Sequence, residues 1–229
     1  MLSVMLLCYK RPAMLKATLD SYLECHNDFP HKLYIQVNCK TPAVRELLEE
    51  YKPELKYLEE LKYNEKNLGL SVSTNYFWGK VDTEYLVKID SDALFQHDFL
   101  KLLYNAIVSI REVSDAFFCI HAQHRHAGEP GYHGDGVECL TVNGVKIVPA
   151  PHGGGICYIA HKPTILKLGK IAEGGGTIYG WTQYQHSAKQ RGHRIAYLKG
   201  LRCEHLGYGD EFRNEYPEYF NEIWKARGH

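Results

Sequence analysis

Apolar positions in the first ninety residues fall into short runs of strand length, separated by stretches with helical spacing. Ser3 to Cys8 is a continuous apolar run that stops at Tyr9-Lys10-Arg11-Pro12. Pro12 suits the first residue of a helix, where its missing N–H is not needed, and Met14, Leu15, Thr18, Leu19, Tyr22 and Leu23 then recur on one helical face. Leu33, Ile35 and Val37 alternate up to Asn38, the mark of a second strand. Thr41-Pro42 reads as a cap and first-turn proline for a helix running to about Tyr51. An extended piece near Leu61 to Tyr63 leads into Asn64-Glu65-Lys66-Asn67-Leu68-Gly69, followed by a helix over Ser71 to Gly79. Tyr85 to Ile89 is the strongest strand pattern in the chain and ends on Asp90-Ser91-Asp92.

This strand–helix alternation predicts an α/β unit with parallel strands. Ligands of such sheets sit beyond the carboxyl ends of the strands, where Arg11, Asn38 and Asp90 all fall. The second half is less regular. The pattern predicts a helix over 99–113, a strand over 116–120, a His- and Gly-rich loop over 121–136, and a hairpin over 137–148 turning on Asn143-Gly144. Two glycine triplets, at 153–155 and 174–176, bracket a strand over 156–160 and a short helix opened by Pro163. A helix over 181–191, strands over 194–198 and 201–204, and a closing helix over 217–226 complete the reading. No linker, repeat or low-complexity tract interrupts it, so a single mixed domain over 1–229 is expected.

Composition narrows the function classes. The 229 residues carry 27 Lys plus Arg against 27 Asp plus Glu, a net charge of zero, whereas a broad phosphate-backbone footprint normally brings a basic excess. Thirteen histidines make the protein cationic a little below neutral pH. Seven scattered cysteines with no Cys-x-x-Cys pair argue against a disulfide framework or a zinc knuckle and fit free thiols in a reducing cytoplasm. The longest apolar run, Met1 to Tyr9, is about half of what a bilayer span requires. Lys10 and Arg11 follow it rather than precede it, the wrong order for a secretory signal.

Asp90-Ser91-Asp92 carries the sharpest chemistry. Two carboxylates one residue apart, just past a buried parallel strand, can turn toward one point in the crevice. Hard oxygen ligands of this kind suit Mg²⁺ or Mn²⁺, which would neutralise a departing diphosphate as a Lewis acid. The alternative is a solvated acidic turn capping the following helix. Lys88 shares strand parity with Asp90 and either points into the same cleft or lies on a surface strand.

Taken in order, the Tyr9-Lys10-Arg11-Pro12 turn, the Asn64–Leu70 segment with Asn75, Val87-Lys88-Ile89-Asp90-Ser91-Asp92, Gly153-Gly154-Gly155, Leu168–Ile171 and Gly180-Trp181 heading a helix that ends at Arg191–Arg194 resemble family 2 glycosyltransferases. The resemblance spans most of the chain. It implies the GT-A fold, a Rossmann-like mixed sheet flanked by helices, and transfer of a sugar from a nucleoside-diphosphate sugar to an acceptor hydroxyl. About 1–100 would bind the donor and about 101–229 the acceptor. Tyr9, Arg11 and Asn38 would line the nucleoside pocket, Asn67 and Ser71 would sit near it, and Asp90 would face the ribose or the metal. Asp92 would be the direct ligand of Mn²⁺ or Mg²⁺, and His205 in Cys203-Glu204-His205-Leu206-Gly207 would complete the metal shell. His152 and Gly154 would line the acceptor side. Trp181 suits either a sugar-stacking platform or a core position.

The pattern breaks where inverting members place an acidic pair after Gly-Trp, because this chain has Thr182-Gln183 there. Glutamine does not accept a proton usefully at neutral pH. Asp210, Glu211 and His152, with Glu173 and Asp135, remain as base candidates; retention of configuration, an acidic acceptor or an inactive binding module are the alternatives. The acceptor is open among a soluble sugar, a lipid-linked glycan, a protein and a hydroxymethylated base, as in viral DNA. A sugar-1-phosphate nucleotidyltransferase would need a glycine-rich loop after the first strand, which Cys8–Pro12 lacks. The stretch His121-Ala122-Gln123-His124-Arg125-His126, with His133, lacks the i, i+4 helical spacing of zinc peptidases and an acidic partner at ligand spacing. It reads as an acceptor-side or lid loop.

Overall fold

The structure, a computed structural model, describes residues 1–26, 28–126, 129–173, 179–208, 214–218 and 221. Asp210, Glu211, the second glycine triplet and most of the helix predicted over 217–226 lie outside the described residues. The elements run β1 (Leu2–Cys8), α1 (Pro12–His26), β2 (Lys32–Val37), α2 (Pro42–Tyr51), β3 (Leu58–Tyr63), α3 (Gly69–Lys80), β4 (Tyr85–Asp90), β5 (Ala93–Phe95) and α4 (Phe99–Val113). They continue as β6 (Phe117–His126), β7 (Leu140–Val142), β8 (Val145–Pro149), β9 (Cys157–His161), α5 (Lys162–Leu168), α6 (Tyr179–Gln190) and β10 (Arg194–His205).

Nine strands form one sheet in the order β3-β2-β1-β4-β9-β6-β10-β8-β7, and β5 adds to β10. The first four strands in that order are mutually parallel, as the alternation predicts. Beyond β4 the sheet becomes mixed, because β9 runs antiparallel to both β4 and β6. Both faces are covered, which is why β1 and β4 read as nearly continuous apolar runs. Val4, Leu6, Val87 and Ile89 pack with Leu15 and Leu19 of α1, Val44 and Leu48 of α2, and Leu103 and Ile107 of α4. Met5 and Leu86, of opposite parity, pack with Phe77 and Trp78 of α3 and Trp181 and Tyr184 of α6. Each fully buried aliphatic or aromatic side chain contributes roughly 1.5–3 kcal/mol relative to exposure, so the two layers fix the central strands firmly.

Three features depart from the pattern reading. The segment 121–126 is strand, a continuation of β6, and not loop, because β10 supplies it with a parallel partner out to His126. The two strands expected over 194–204 are one, with a register shift between Leu198 and Arg202. The three-residue β5 is too short to show a period. The hairpin forms on Asn143 and Gly144 with φ of 46° and 78°, the positive values a primed turn requires.

Candidate active site

The carboxyl ends of β1, β2 and β4 open on the same edge of the sheet. After β1 the chain passes through Lys10 and Arg11 with φ of 54° and 53°, a left-handed conformation that costs a non-glycine residue energy and marks functional turns. The buried Arg11 side chain donates from Nη1 to Asp92 Oδ2 at 2.8 Å. After β4 the chain turns through Ser91 and Asp92 into β5, whose antiparallel pairing sets Ala93 opposite His205 of β10. The Leu206 N–H donates to the Asp92 carbonyl at 2.8 Å. Thus two residues 113 positions apart meet, with His205 Nε2 3.1 Å from Asp92 Oδ2. Gly207 closes the arrangement: a Cβ there would lie 2.3 Å from Asp92 Oδ2, so only glycine lets the chain pass so close.

Burial opposes charge on Asp92, but Arg11 and His205 outweigh it and hold the carboxyl well below the usual carboxylate range. Asp92 is therefore an anion in the interior. Its Oδ1 is buried and has no hydrogen-bond partner among the described residues, an uncommon state for a buried carboxylate oxygen. Asp90 is less enclosed, its side chain 28% exposed. The Lys88 ammonium, on the same face of β4, donates to Asp90 Oδ1 at 2.5 Å and to the Gly155 carbonyl. Burial pushes the Asp90 carboxyl up and Lys88 pulls it back. Of the two expectations for Lys88, the structure places it in the interior, 1% exposed.

The remaining expected residues divide. Tyr9 is half-buried, with Lys10 Nζ 5.2 Å from its ring centre. Asn38 is buried and uses its amide within the protein: Nδ2 donates to Ser73 Oγ at 2.9 Å, and Oδ1 accepts from Asn64 Nδ2 at 2.8 Å. It fixes the end of β2 against α3. Ser71 is buried on α3, and Asn67 is exposed, its Oδ1 accepting the Gly69 N–H at 2.9 Å. Trp181 is not an open platform; it is 3% exposed and stacked on Tyr158 at 4.3 Å and 10°. It borders, with Thr74, Lys88 and Gly155, a crevice too tight to admit a water molecule.

The first glycine triplet packs against histidines. A Cβ at Gly153 would lie 2.3 Å from the His121 ring and one at Gly154 2.5 Å from the His124 ring. Gln185 of α6 clamps Gly153, accepting its N–H at 2.6 Å and donating to its carbonyl at 3.0 Å. Gln185 is thus the buried glutamine of this helix, while Gln183 is exposed. His152 is exposed, its ring 6.5 Å from that of His186. Asp135 accepts the Tyr132 N–H at 3.0 Å, which lowers its carboxyl and weakens it as a base. Glu173 is exposed, 3.5 Å from Asn75 Nδ2.

Sequence reasoning put His126 in an acceptor-side or lid loop, whereas its Nδ1 is 3.0 Å from His205 Nδ1. The clue was present in the alternating His124-Arg125-His126, once that stretch is taken as strand. It also missed Gly207 as the spacer beside Asp92, although the glycine stands in the quoted Cys203–Gly207 segment.

The family model described as Glycosyl transferase family 2 matches residues 3–126, more than half of the chain. No curated protein matches it. Among solved structures, residues 1–349 of TarS from S. aureus in complex with UDP-GlcNAc superpose with a TM-score of 0.69 at 17% identity, covering 97% of this chain and 64% of that one. The mannosyltransferase PcManGT from Pyrobaculum calidifontis, in complex with GDP-Man and Mn²⁺, gives 0.67 at 14% identity, covering 93% and 59%. GalNAc-T7 with UDP, GalNAc and Mn²⁺ gives 0.70 at 14% identity, covering 90% and 43%. The chain spans less than two thirds of the length of each of these proteins.

Proposed function

Because the chain belongs to glycosyltransferase family 2 and has the GT-A fold, we propose that it transfers a sugar from a nucleoside-diphosphate sugar to an acceptor hydroxyl at the edge where β1, β2 and β4 end. The observation that carries this reading is Asp92: a buried anion at the tip of β4, with one oxygen shared by Arg11 and His205 and the other without a hydrogen-bond partner among the described residues. An unpartnered carboxylate oxygen beside an imidazole is a donor set that fits Mn²⁺ or Mg²⁺. Asp92 and His205 would hold the ion, with Asp90 alongside. Bound there, the ion supplies Lewis-acid stabilisation of the departing diphosphate.

The chain's own residues do the rest. Arg11 holds the Asp92 carboxylate in place and brings a second positive group to the position where phosphate charge develops. Lys88 fixes the orientation of Asp90 through a bond that also ties β4 to Gly155. The Asn38–Asn64–Ser73 network keeps the ends of β2 and α3 at a fixed separation, forming the nucleoside-side wall with Tyr9, Ser71 and Asn67. We assign the region from about residue 101 onward to the acceptor, with His152 and Gly154 on that side. We assign proton acceptance from the hydroxyl to one of Asp210, Glu211 and His152. The neighbours crystallised with UDP-GlcNAc, GDP-Man and Mn²⁺ support the donor class and the ion. All seven cysteines are free, which supports a reducing, cytoplasmic setting. Among the described residues no helix is long and apolar enough to cross a membrane.

The test is hydrolysis of UDP- and GDP-sugars in the presence of Mn²⁺. Wild type is expected to turn over one donor and Asp92→Asn to lose that turnover by at least a hundredfold while keeping its circular-dichroism spectrum. Tight donor binding without turnover by the wild type would favour a binding module. Equal turnover by the variant would remove Asp92 from the chemistry.

A further inference from the structure

His124, His126 and His133 each offer a ring nitrogen, and these nitrogens lie within 4.8 Å of one another. The grouping is built by the fold. His124 and His126 are two residues apart on β6, and the segment carrying His133 is pinned back onto that strand: its N–H donates to the His124 carbonyl at 2.9 Å, and its own carbonyl accepts from Gln123 Nε2 at 3.0 Å. The His124 and His133 rings stack at 4.1 Å and 25°. Neither ring has a hydrogen-bond partner among the described residues, although His124 is only 7% exposed.

We propose that these three histidines form a binding site for Zn²⁺, separate from the Asp92 site. Imidazole is a preferred ligand of Zn²⁺, whereas Mg²⁺ favours oxygen. Four-coordinate zinc with bonds of about 2.0–2.1 Å places its ligand nitrogens about 3.4 Å apart, so modest side-chain rotations close the present arrangement onto an ion. Three protein ligands leave a fourth position for water. The histidines grade from buried His124 through half-buried His126 to exposed His133, which provides an entry path. The ion would tie the 129–133 segment to β6 and sit one hydrogen bond from the Asp92 cluster, through the His126–His205 contact. The inference does not depend on glycosyl transfer.

The experiment uses the full chain, stripped with a chelator and titrated with Zn²⁺ against a chromophoric competitor. One equivalent is expected to bind, and His126→Ala and His133→Ala should each weaken it at least tenfold. Asp92→Asn should leave it unchanged. Thermal melts without zinc check that the exposed His133→Ala remains folded, and X-ray absorption of the loaded protein should show imidazole nitrogens at about 2.0 Å. Failure to bind zinc, equal affinity in His133→Ala, or release of zinc by Asp92→Asn would each overturn the proposal. Because the readout is binding, the result stands whether or not the chain turns over a nucleotide sugar.

Discussion

An ammonium that is 1% exposed has to exchange its hydration for protein acceptors, and Lys88 finds two, the Asp90 carboxylate and the Gly155 carbonyl. Lys88→Met keeps most of the volume and removes both bonds. It leaves the Gly155 carbonyl without this donor, so a loss of about 1–3 kcal/mol is expected in urea unfolding. Since Lys88 holds the Asp90 carboxyl down against burial, the same variant should raise the titration of Asp90, which carboxyl carbon NMR reads directly. The glycine triplet offers a second comparison. A methyl at Gly153 would collide with the His121 ring at 2.3 Å, whereas one at Gly155 meets nothing closer than 3.8 Å. Gly153→Ala is expected to cost about 1–3 kcal/mol and Gly155→Ala to unfold at nearly the wild-type urea midpoint; equal effects would mean that the ring contact is not what selects glycine. At this scale the sequence was partly readable. Strand parity put Lys88 beside Asp90, but the Gly155 carbonyl lies 67 residues away, and no local pattern reports such a partner.

Between elements, the contacts that shape the site come from long-range pairing. Asn75 of α3 clamps the segment after α5: its Nδ2 donates to the Ile171 carbonyl and its Oδ1 accepts the Ile171 N–H, both at 2.9 Å. Ile171 is buried, so Asn75→Ala strands a backbone donor and acceptor together. A loss of at least about 2 kcal/mol is expected, seen as a lower urea midpoint with an unchanged denaturant slope. A change within a few tenths of a kcal/mol would show that water replaces the amide. The elements of the first half were legible because each spans several turns or alternations with a clear stop: Pro12, Pro42 and Asn38 mark their boundaries. β5 was not legible, since three residues carry no period, yet its pairing with β10 is what brings His205 to Asp92. The strand character of 121–126 was hidden for a related reason. Histidine and arginine at alternate positions read as loop until β10 lies alongside to cover them.

For the molecule as a whole, its histidines bear on stability in acid. His31 is buried with Nδ1 2.6 Å from the Phe29 carbonyl, which can only accept, so Nδ1 carries the proton and Nε2 accepts from the Tyr22 hydroxyl. Protonating Nε2 would turn the Tyr22 hydroxyl from donor to acceptor and place a charge in the core, and burial lowers the His31 pKa to about 4. Burial likewise brings His121 down to about 3. Both start from 6.5 in the unfolded chain, so between that value and the folded one the unfolded state binds protons that the folded state refuses. Stability therefore falls as pH drops below 6.5, and above it these two groups contribute no slope. At pH 5 each is expected to have cost about 2 kcal/mol, together a large share of the usual 5–15 kcal/mol of a folded domain. Asp92, held low by Arg11 and His205 after burial is overcome, adds loss of the same sign only in stronger acid. Urea midpoints measured from pH 8 to pH 4.5 should thus be flat above neutrality and then fall well before ordinary carboxylates titrate. His31→Gln, which keeps a donor and an acceptor, should remove no more than about a third of the slope near pH 5.5, because burial lowers His124 as well. A flat profile between pH 7 and pH 5 would mean that these rings are hydrated in the folded protein, and the aromatic packing around His121 and Trp181 would then be looser than the close contact of the Gly153 backbone with the His121 ring requires.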